Sequence, residues 1–187
     1  MSVDRAAKRL AVGTSDGITI YDATTGEATG KIERAALRAV YITPTDMLIA
    51  GTLGGELIEY DLDTLQPIRA LGGNTGLAQE MYADVSGNLL VTRSGAGDIN
   101  LFDIPTGERI GTPISVPYGE ANGIGLRFDG KEMFFGGSST TGTLFWDLDP
   151  QHWVEAACQL AGRNLTREEW ESNIGPLAPY QPLCPGS

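Results

Sequence analysis

The sequence predicts an all-β fold made of repeated antiparallel sheets, followed by a short α-helical tail. Three observations lead to this prediction. Twenty-five glycines and ten prolines among 187 residues separate short apolar runs, as expected when tight turns join many short strands. One strand–turn–strand pattern recurs four times at nearly constant spacing. Past residue 148 the apolar residues take up the spacing typical of helices.

Each repeat contains two short apolar strands, and the second strand ends in an aromatic residue followed by aspartate. The four aspartates are Asp22, Asp61, Asp103 and Asp147, which lie 39, 42 and 44 positions apart. Turns that contain glycine, such as Ser15-Asp16-Gly17, join the two strands and supply the positive φ that a tight hairpin needs. Hairpins are therefore predicted at 9–22, 47–61, 89–103 and 132–147.

A second turn follows the aspartate and leads to a further strand. In Asp22-Ala23-Thr24-Thr25-Gly26-Glu27, and again at 103–108, Asp and Thr side chains can bond to nearby backbone and glycine reverses the chain. An outer strand is expected after each such turn. Inner strands that open the next sheets are expected at 37–42, 77–82 and 123–128. By this reasoning the first sheet lacks its inner strand and the last sheet lacks its outer strand.

The two missing strands would leave open sheet edges, for which the sequence offers two explanations. Either the natural protein continues upstream of Met1, with Val3-Asp4-Arg5 as the remnant of a turn between strands, or the open edges pair with another chain or a second copy. Continuation upstream is the favoured explanation.

The charge of the chain bears on its partners and location. Thirteen basic and twenty-four acidic side chains give a net charge of −11, which repels phosphate backbones and anionic lipids. Neither nucleic acid nor a membrane is expected as a partner.

No apolar run approaches the roughly 18 residues of a membrane helix, and Met1-Ser2-Val3-Asp4 lacks the features of a signal peptide. A cytoplasmic location is expected, or an extracytoplasmic one if a longer parent protein carries a membrane segment.

Residues 149–187 form the predicted helical tail. Asp149 can cap a first helix that begins at Pro150 and ends before Gly162. Thr166 and Glu169 form a capping box, in which each side chain bonds the backbone of the other, and this box begins a second short helix.

The only two cysteines, Cys158 and Cys184, lie 26 positions apart in this tail. A disulfide bond between them would add about 3 kcal/mol in an oxidising compartment, whereas two free thiols are equally compatible with the absence of a signal peptide. The sequence leaves both alternatives open.

The repeats resemble WD40 repeats in layout and in spacing, although only Trp146-Asp147 is a literal Trp-Asp pair. The tail, with Gly162-Arg163-Asn164-Leu165-Thr166 and Glu169-Trp170, resembles the C-terminus of bacterial multidomain signalling proteins. In those proteins a WD-repeat propeller follows a STAND-type ATPase domain, a protease-like domain or an antibiotic-regulator-type activator. This resemblance implies a partial β-propeller of about four WD-type blades at 1–148, with the first and last blades incomplete, and a helical tail at 149–187.

The resemblance also implies a function and a surface. In WD-repeat proteins the loops on one face of the propeller are the usual partner surface, and here that face would carry Arg34, Asn74, Tyr118, Glu120 and Asn122. Tyr and Arg are favoured at the centres of interfaces. A scaffold or sensory module that binds another protein is therefore expected at the end of a larger regulator. No activity of the upstream domains is transferred.

No motif of an enzyme was found. The sequence has no phosphate loop, no complete Gly-x-Gly-x-x-Gly, no His-Glu-x-x-His and no Gly-x-Ser-x-Gly. The single histidine, His152, and the two cysteines cannot form a Cys/His zinc site. No catalytic residue, cofactor or metal is predicted. The alternatives are a propeller-type hydrolase or redox enzyme with an unrecognised site, and a non-functional gene fragment.

Overall fold

The protein contains four antiparallel sheets and two C-terminal helices, which confirms the predicted fold class. This computed structural model describes residues 1–14, 16–33, 37–73, 75–115, 123–127, 129–136, 142–175 and 178–184. The chain divides into two compact units, Met1–Trp146 and Asp147–Ser187. Among the described residues, no helix has the length and hydropathy needed to cross a membrane.

Each sheet is formed by consecutive strands in chain order. The first sheet contains β1 (Ser2–Val3), β2 (Arg9–Thr14), β3 (Gly17–Asp22) and β4 (Ala28–Ile32). The second contains β5 (Leu37–Ile42), β6 (Met47–Thr52), β7 (Leu57–Asp61) and β8 (Pro67–Leu71). The third contains β9 (Ala78–Ala83), β10 (Leu89–Ser94), β11 (Asp98–Asp103) and β12 (Glu108–Ser115). The fourth contains β13 (Gly123–Leu126), β14 (Glu132–Gly136) and β15 (Thr143–Asp147). The four predicted hairpins are therefore confirmed, because each corresponds to the second and third strands of one sheet.

The expectation that the first sheet lacks its inner strand is wrong. β1 pairs with β2 in antiparallel register, with Ser2 opposite Ala11 and Val3 opposite Leu10. Asp4 then closes the turn, because its Oδ1 accepts the backbone N–H groups of Lys8 at 2.7 Å and Arg9 at 3.1 Å. The predicted turn at Val3-Asp4-Arg5 is thus confirmed, but an inner strand precedes it. With two residues, β1 is too short to show an alternating apolar pattern.

The turns after the third strands depend on the recurrent aspartate. Asp22 Oδ1 accepts the N–H groups of Thr24 at 2.7 Å and Thr25 at 2.9 Å. Asp61 Oδ1 accepts the N–H of Thr64 at 2.7 Å in the same way. Gly26 and Gly107 close two of these turns at positive φ, where the second sheet instead has Leu65 at φ 58°. The turn of the second sheet, Asp61-Leu62-Asp63-Thr64-Leu65-Gln66, therefore departs from the Thr-Gly pattern, because leucine stands where the other two turns have glycine.

The sheets stack against one another in chain order. The inner strands β1, β5, β9 and β13 are neighbours in that order. One apolar cluster joins the first sheet to the second, and another joins the second to the third. The fourth sheet has three strands, so the predicted absence of its outer strand is confirmed for the part of the chain that the structure describes.

The tail contains the two predicted helices, α1 (Pro150–Ala161) and α2 (Arg167–Asn173). Asp149 Oδ1 caps α1 by accepting the N–H of Gln151 at 3.0 Å, and Gly162 ends the helix in the left-handed conformation. The capping box at Thr166 and Glu169 is formed in both directions. Both helix starts are therefore confirmed.

Candidate interaction surface

The five residues predicted to form a partner surface, Arg34, Asn74, Tyr118, Glu120 and Asn122, lie outside the described residues. The loop surface therefore stays a prediction. The described residues instead present a surface on the fourth sheet that the sequence analysis did not identify.

Each sheet has two faces, named here by the neighbouring sheet that they address. The forward face looks towards the next sheet in the chain, and the rear face looks towards the preceding one. On the forward face, one residue of the second strand lies opposite one residue of the third strand, two positions before the recurrent aspartate. In the first three sheets these pairs are Ala11 and Ile20, Ile49 and Glu59, and Val91 and Leu101. The corresponding residues of the fourth sheet are Phe134 and Phe145, whose rings lie next to one another.

Burial at these positions separates the fourth sheet from the other three. In the first three sheets the six side chains are at most 7% exposed. In the fourth sheet Phe134 is 40% exposed and Phe145 is 64% exposed. Neither side chain carries a polar group, so this exposure leaves two apolar aromatic rings in contact with water. Among the described residues, the forward face of the fourth sheet is therefore exposed at positions that the other three sheets bury.

The two phenylalanines border a shallow groove. Their ring centroids are 6.2 Å apart and the rings are tilted by 44°. A groove of about 540 Å³ is lined by both rings together with Gly123, Ile124, Gly136 and Thr143. Gly125 lies under Phe134, since a Cβ built on that glycine would come within 2.2 Å of the ring. The glycines thus keep space open beside the aromatic rings.

The edge strand next to this groove is exposed along its whole length. Leu144, Phe145 and Trp146 of β15 are 46%, 64% and 42% exposed, whereas Ile58, Glu59 and Tyr60 at the equivalent positions of β7 are buried. In the first three sheets an outer strand covers the corresponding edge, whereas no strand in the described part of the chain pairs with this edge of β15. An open edge with apolar side chains is a common site for pairing with another chain.

Sequence analysis also missed a half-buried ion pair within the third sheet, one member of which also bonds to the fourth sheet. Arg93 Nη2 donates to Glu80 Oε1 at 2.7 Å, and Glu80 Oε2 accepts the backbone N–H of Ile124 at 2.7 Å. Glu80 thus joins the inner strands β9 and β13. A regular strand pattern gives no sign of such a contact, because the partners are 13 and 44 positions apart.

In the tail, Cys158 and Cys184 form a disulfide bond, which settles the alternative that the sequence left open. Asn164 fixes the same segment, because its Oδ1 accepts the N–H groups of Leu183 and Cys184, each at 2.7 Å, and its Nδ2 donates to the Cys184 carbonyl at 3.1 Å. Trp170 is buried and packs edge-on against Tyr180, with ring centroids 5.6 Å apart. These contacts hold the C-terminal segment against α2.

Two ionic contacts shift pKa values in the tail. His152 Nδ1 lies 2.6 Å from Asp147 Oδ2, and the hydrogen bond to this carboxylate raises the pKa of His152. The backbone N–H of Asp149 and the His152 ring together lower the pKa of Asp147. Arg163 binds both carboxylate oxygens of Glu169 at 2.8 Å, and this contact, with the Thr166 N–H, lowers the pKa of Glu169 to about 2. All of these groups are exposed, and both contacts lie at the N-terminal ends of the two helices.

Among the described residues, no group of three or more His, Cys, Asp or Glu side chains is placed to hold a metal ion. His152, the only histidine in the sequence, is hydrogen-bonded to Asp147.

Comparison with known proteins supports the fold. No protein-family model and no curated protein matches the sequence. Among solved structures, the chain is similar to hydrazine synthase of Kuenenia stuttgartiensis, with a TM-score of 0.68 and 17% sequence identity over 80% of the chain. The match spans 45% of the hydrazine synthase chain, so this protein corresponds to less than half of that length. At this identity the likeness concerns the fold alone: the chain has the repeated, propeller-like sheets that its sequence predicts.

Proposed function

We propose that this chain is a protein-interaction module, a scaffold or sensor and not an enzyme, and that the forward face of its fourth sheet is a binding surface. One observation carries the proposal: Phe134 and Phe145 are exposed at positions where the other three sheets bury their side chains. Burial of this aromatic pair against a partner would remove apolar surface from water, which contributes about 25 cal/mol of favourable free energy per Å² buried. Aromatic anchors of this kind commonly dominate binding energy.

The resemblance to WD-repeat proteins points to the same class of function. In bacterial regulators with a tail of this type, the WD-repeat propeller is the interaction end of the molecule, and a longer signalling protein is the proposed context here. The loop surface of Arg34, Asn74, Tyr118, Glu120 and Asn122 is a second proposed partner surface. Charge reversal at Arg34 combined with Tyr118→Ala is expected to weaken partner capture without unfolding the protein.

The direct test of the fourth-sheet surface is site-specific photo-crosslinking in the cells that make the protein. A photoreactive phenylalanine analogue at position 145 is expected to give a discrete adduct with one protein, identified by mass spectrometry. The control places the same analogue at Ile68, which is 51% exposed on the outer strand β8. If position 145 gives no more adduct than position 68, the fourth-sheet face is not a binding surface.

A further inference from the structure

We infer that the disulfide bond between Cys158 and Cys184 is a site of reversible reduction by dithiols, and that reduction releases α1 from the C-terminal segment, residues 178–184. All of the residues concerned belong to the tail unit, Asp147–Ser187. The inference therefore goes beyond the proposed function and does not depend on the surface of the fourth sheet.

The disulfide bond lies where a thiol can reach it. Both cysteines are half-buried, and α1, which carries Cys158, has no buried residue. A disulfide bond that is accessible to solvent is reduced more readily than one enclosed in a core, because a thiolate must reach one of its sulfur atoms. The position of the bond therefore permits reduction of the folded protein.

The C-terminal segment is held in place by contacts that do not include the disulfide bond. Asn164 holds the end of the segment through hydrogen bonds of 2.7 Å, 2.7 Å and 3.1 Å to the backbone of Leu183 and Cys184. Trp170 holds its start, because the indole N–H donates to the Ala178 carbonyl at 2.8 Å. These contacts attach the segment to α2 and to the loop before it, so we expect them to survive cleavage of the disulfide bond.

Helix α1, by contrast, depends on the disulfide bond along its second half. Its first turn is fixed by the Asp149 cap and by the contacts of His152 and Trp153 with Asp147. Among the described residues, no side chain of α1 after Trp153 forms a hydrogen bond or an ion pair. An isolated helix of 12 residues is marginally stable in water. Cys158, in the last turn, is therefore the point that holds this half of α1 to the rest of the tail.

Reduction is a thiol–disulfide exchange that consumes one dithiol. A thiolate of the dithiol attacks one sulfur of the Cys158–Cys184 bond, which breaks, and a mixed disulfide forms while the other cysteine leaves as a thiolate and takes up a proton. The second thiolate of the reductant then attacks the mixed disulfide and releases the remaining cysteine. The two electrons pass to the protein, which ends with two thiols, and the reductant ends as an internal disulfide. Exchange with an oxidised dithiol runs the same steps in reverse.

Reduction also changes the surface that the tail presents. In the oxidised protein a groove of about 370 Å³ is lined by Pro150, Gln151, Val154, Glu155, Cys158 and Leu183. Of these residues, Leu183 alone belongs to the C-terminal segment, so the groove requires α1 to stay beside that segment. Release of α1 removes the groove while Asn164 keeps Leu183 in place. The tail thus has an oxidised and a reduced state with different surfaces, as a redox sensor requires.

The test is amide hydrogen exchange measured by NMR on the whole 187-residue chain, oxidised with oxidised glutathione and then reduced with dithiothreitol in native buffer. Intact-mass measurement reports which form is present. We expect the amides of residues 154–161 to exchange at least about tenfold faster after reduction. The amides of Leu183 and Cys184 and the indole N–H of Trp170 should keep their protection.

Four results would overturn the inference. The first is a chain that forms no disulfide bond with oxidised glutathione, and the second is a bond that resists dithiothreitol in native buffer. The third is an exchange rate in α1 that is the same in both forms. The fourth is an equal loss of protection in α1 and in the C-terminal segment, because the bond would then stabilise the tail as a whole and would not release one part of it.

Two variants serve as controls. Cys158→Ser cannot form the bond, so its α1 amides should exchange at the fast rate with and without dithiothreitol; a response to dithiothreitol would place the effect elsewhere in the chain and refute the assignment. Asn164→Ala removes the anchor of the C-terminal segment, and in its reduced form the amides of Leu183 and Cys184 should lose protection. Retained protection would refute the role of Asn164. Far-UV circular dichroism checks that the sheets of both variants stay folded.

Discussion

At the scale of single residues, the pair formed by His152 and Asp147 is the clearest case of a side chain whose role the structure redefines. The sequence assigned His152 no function, and its ring lies 2.6 Å from a carboxylate at the start of α1. The aspartate also accepts the N–H of Asp149 at 2.9 Å, and its carbonyl accepts the indole N–H of Trp153 at 2.7 Å. The pair therefore holds the first turn of α1 against Asp147 within the tail unit.

The pKa of His152 can be measured directly, because it is the only histidine and gives one imidazole signal in an NMR titration. We expect a pKa above the ordinary value of about 6.5. Since the folded-state pKa is raised, the stabilisation is fully present below about pH 6.5 and is lost as pH rises through the raised pKa. Asp147→Asn should return the pKa towards its ordinary value. Asp63→Asn changes an exposed carboxylate that does not contribute to the pKa shift of His152, so it should leave this pKa unchanged. Equal shifts in both variants would contradict the assignment to Asp147.

At the scale of elements, arginine side chains join one sheet to the next. Arg69 on β8 donates to Glu59 Oε2 at 2.6 Å within its own sheet. It also donates to the carbonyls of Pro105, at 2.8 Å, and Ile104 in the third sheet. Glu59 is buried, so its carboxylate depends on this contact for neutralisation.

Arg69→Met is expected to lower the free energy of unfolding by about 2 kcal/mol, because it leaves a buried carboxylate and two carbonyls without their donor. Lys31→Met is the matched control, since Lys31 lies on the outer strand of the first sheet and pairs with exposed Glu33 at 3.4 Å. Such a surface pair contributes at most about 1 kcal/mol. Urea denaturation measures both values, and equal losses would show that the contact between sheets contributes nothing beyond a surface ion pair.

The elements also show what sequence can predict in a repeat protein. The hairpins were predictable because alternating apolar residues, turn glycines and the recurrent aspartate are all local signals, and the helix starts were predictable from Asp149 and Thr166 for the same reason. β1 was missed because two residues carry no pattern. The exposure of Phe134 and Phe145 could not be predicted from sequence, because it depends on which residues pack against the fourth sheet, and the equivalent positions of the other three sheets are buried. The disulfide bond between Cys158 and Cys184 could not be predicted either, because the sequence does not show which segments of the tail lie close together in space.

At the scale of the whole molecule, contacts between neighbouring sheets account for burial in the described part of the array. The inner strands are neighbours in chain order, and two apolar clusters join the first sheet to the second and the second to the third. A repeat array of this kind gains its stability from such contacts between neighbouring repeats. Phe134 and Phe145 are exposed at positions that these contacts bury in the first three sheets. The aromatic pair is therefore the place where the proposed partner would supply a contact of the same kind.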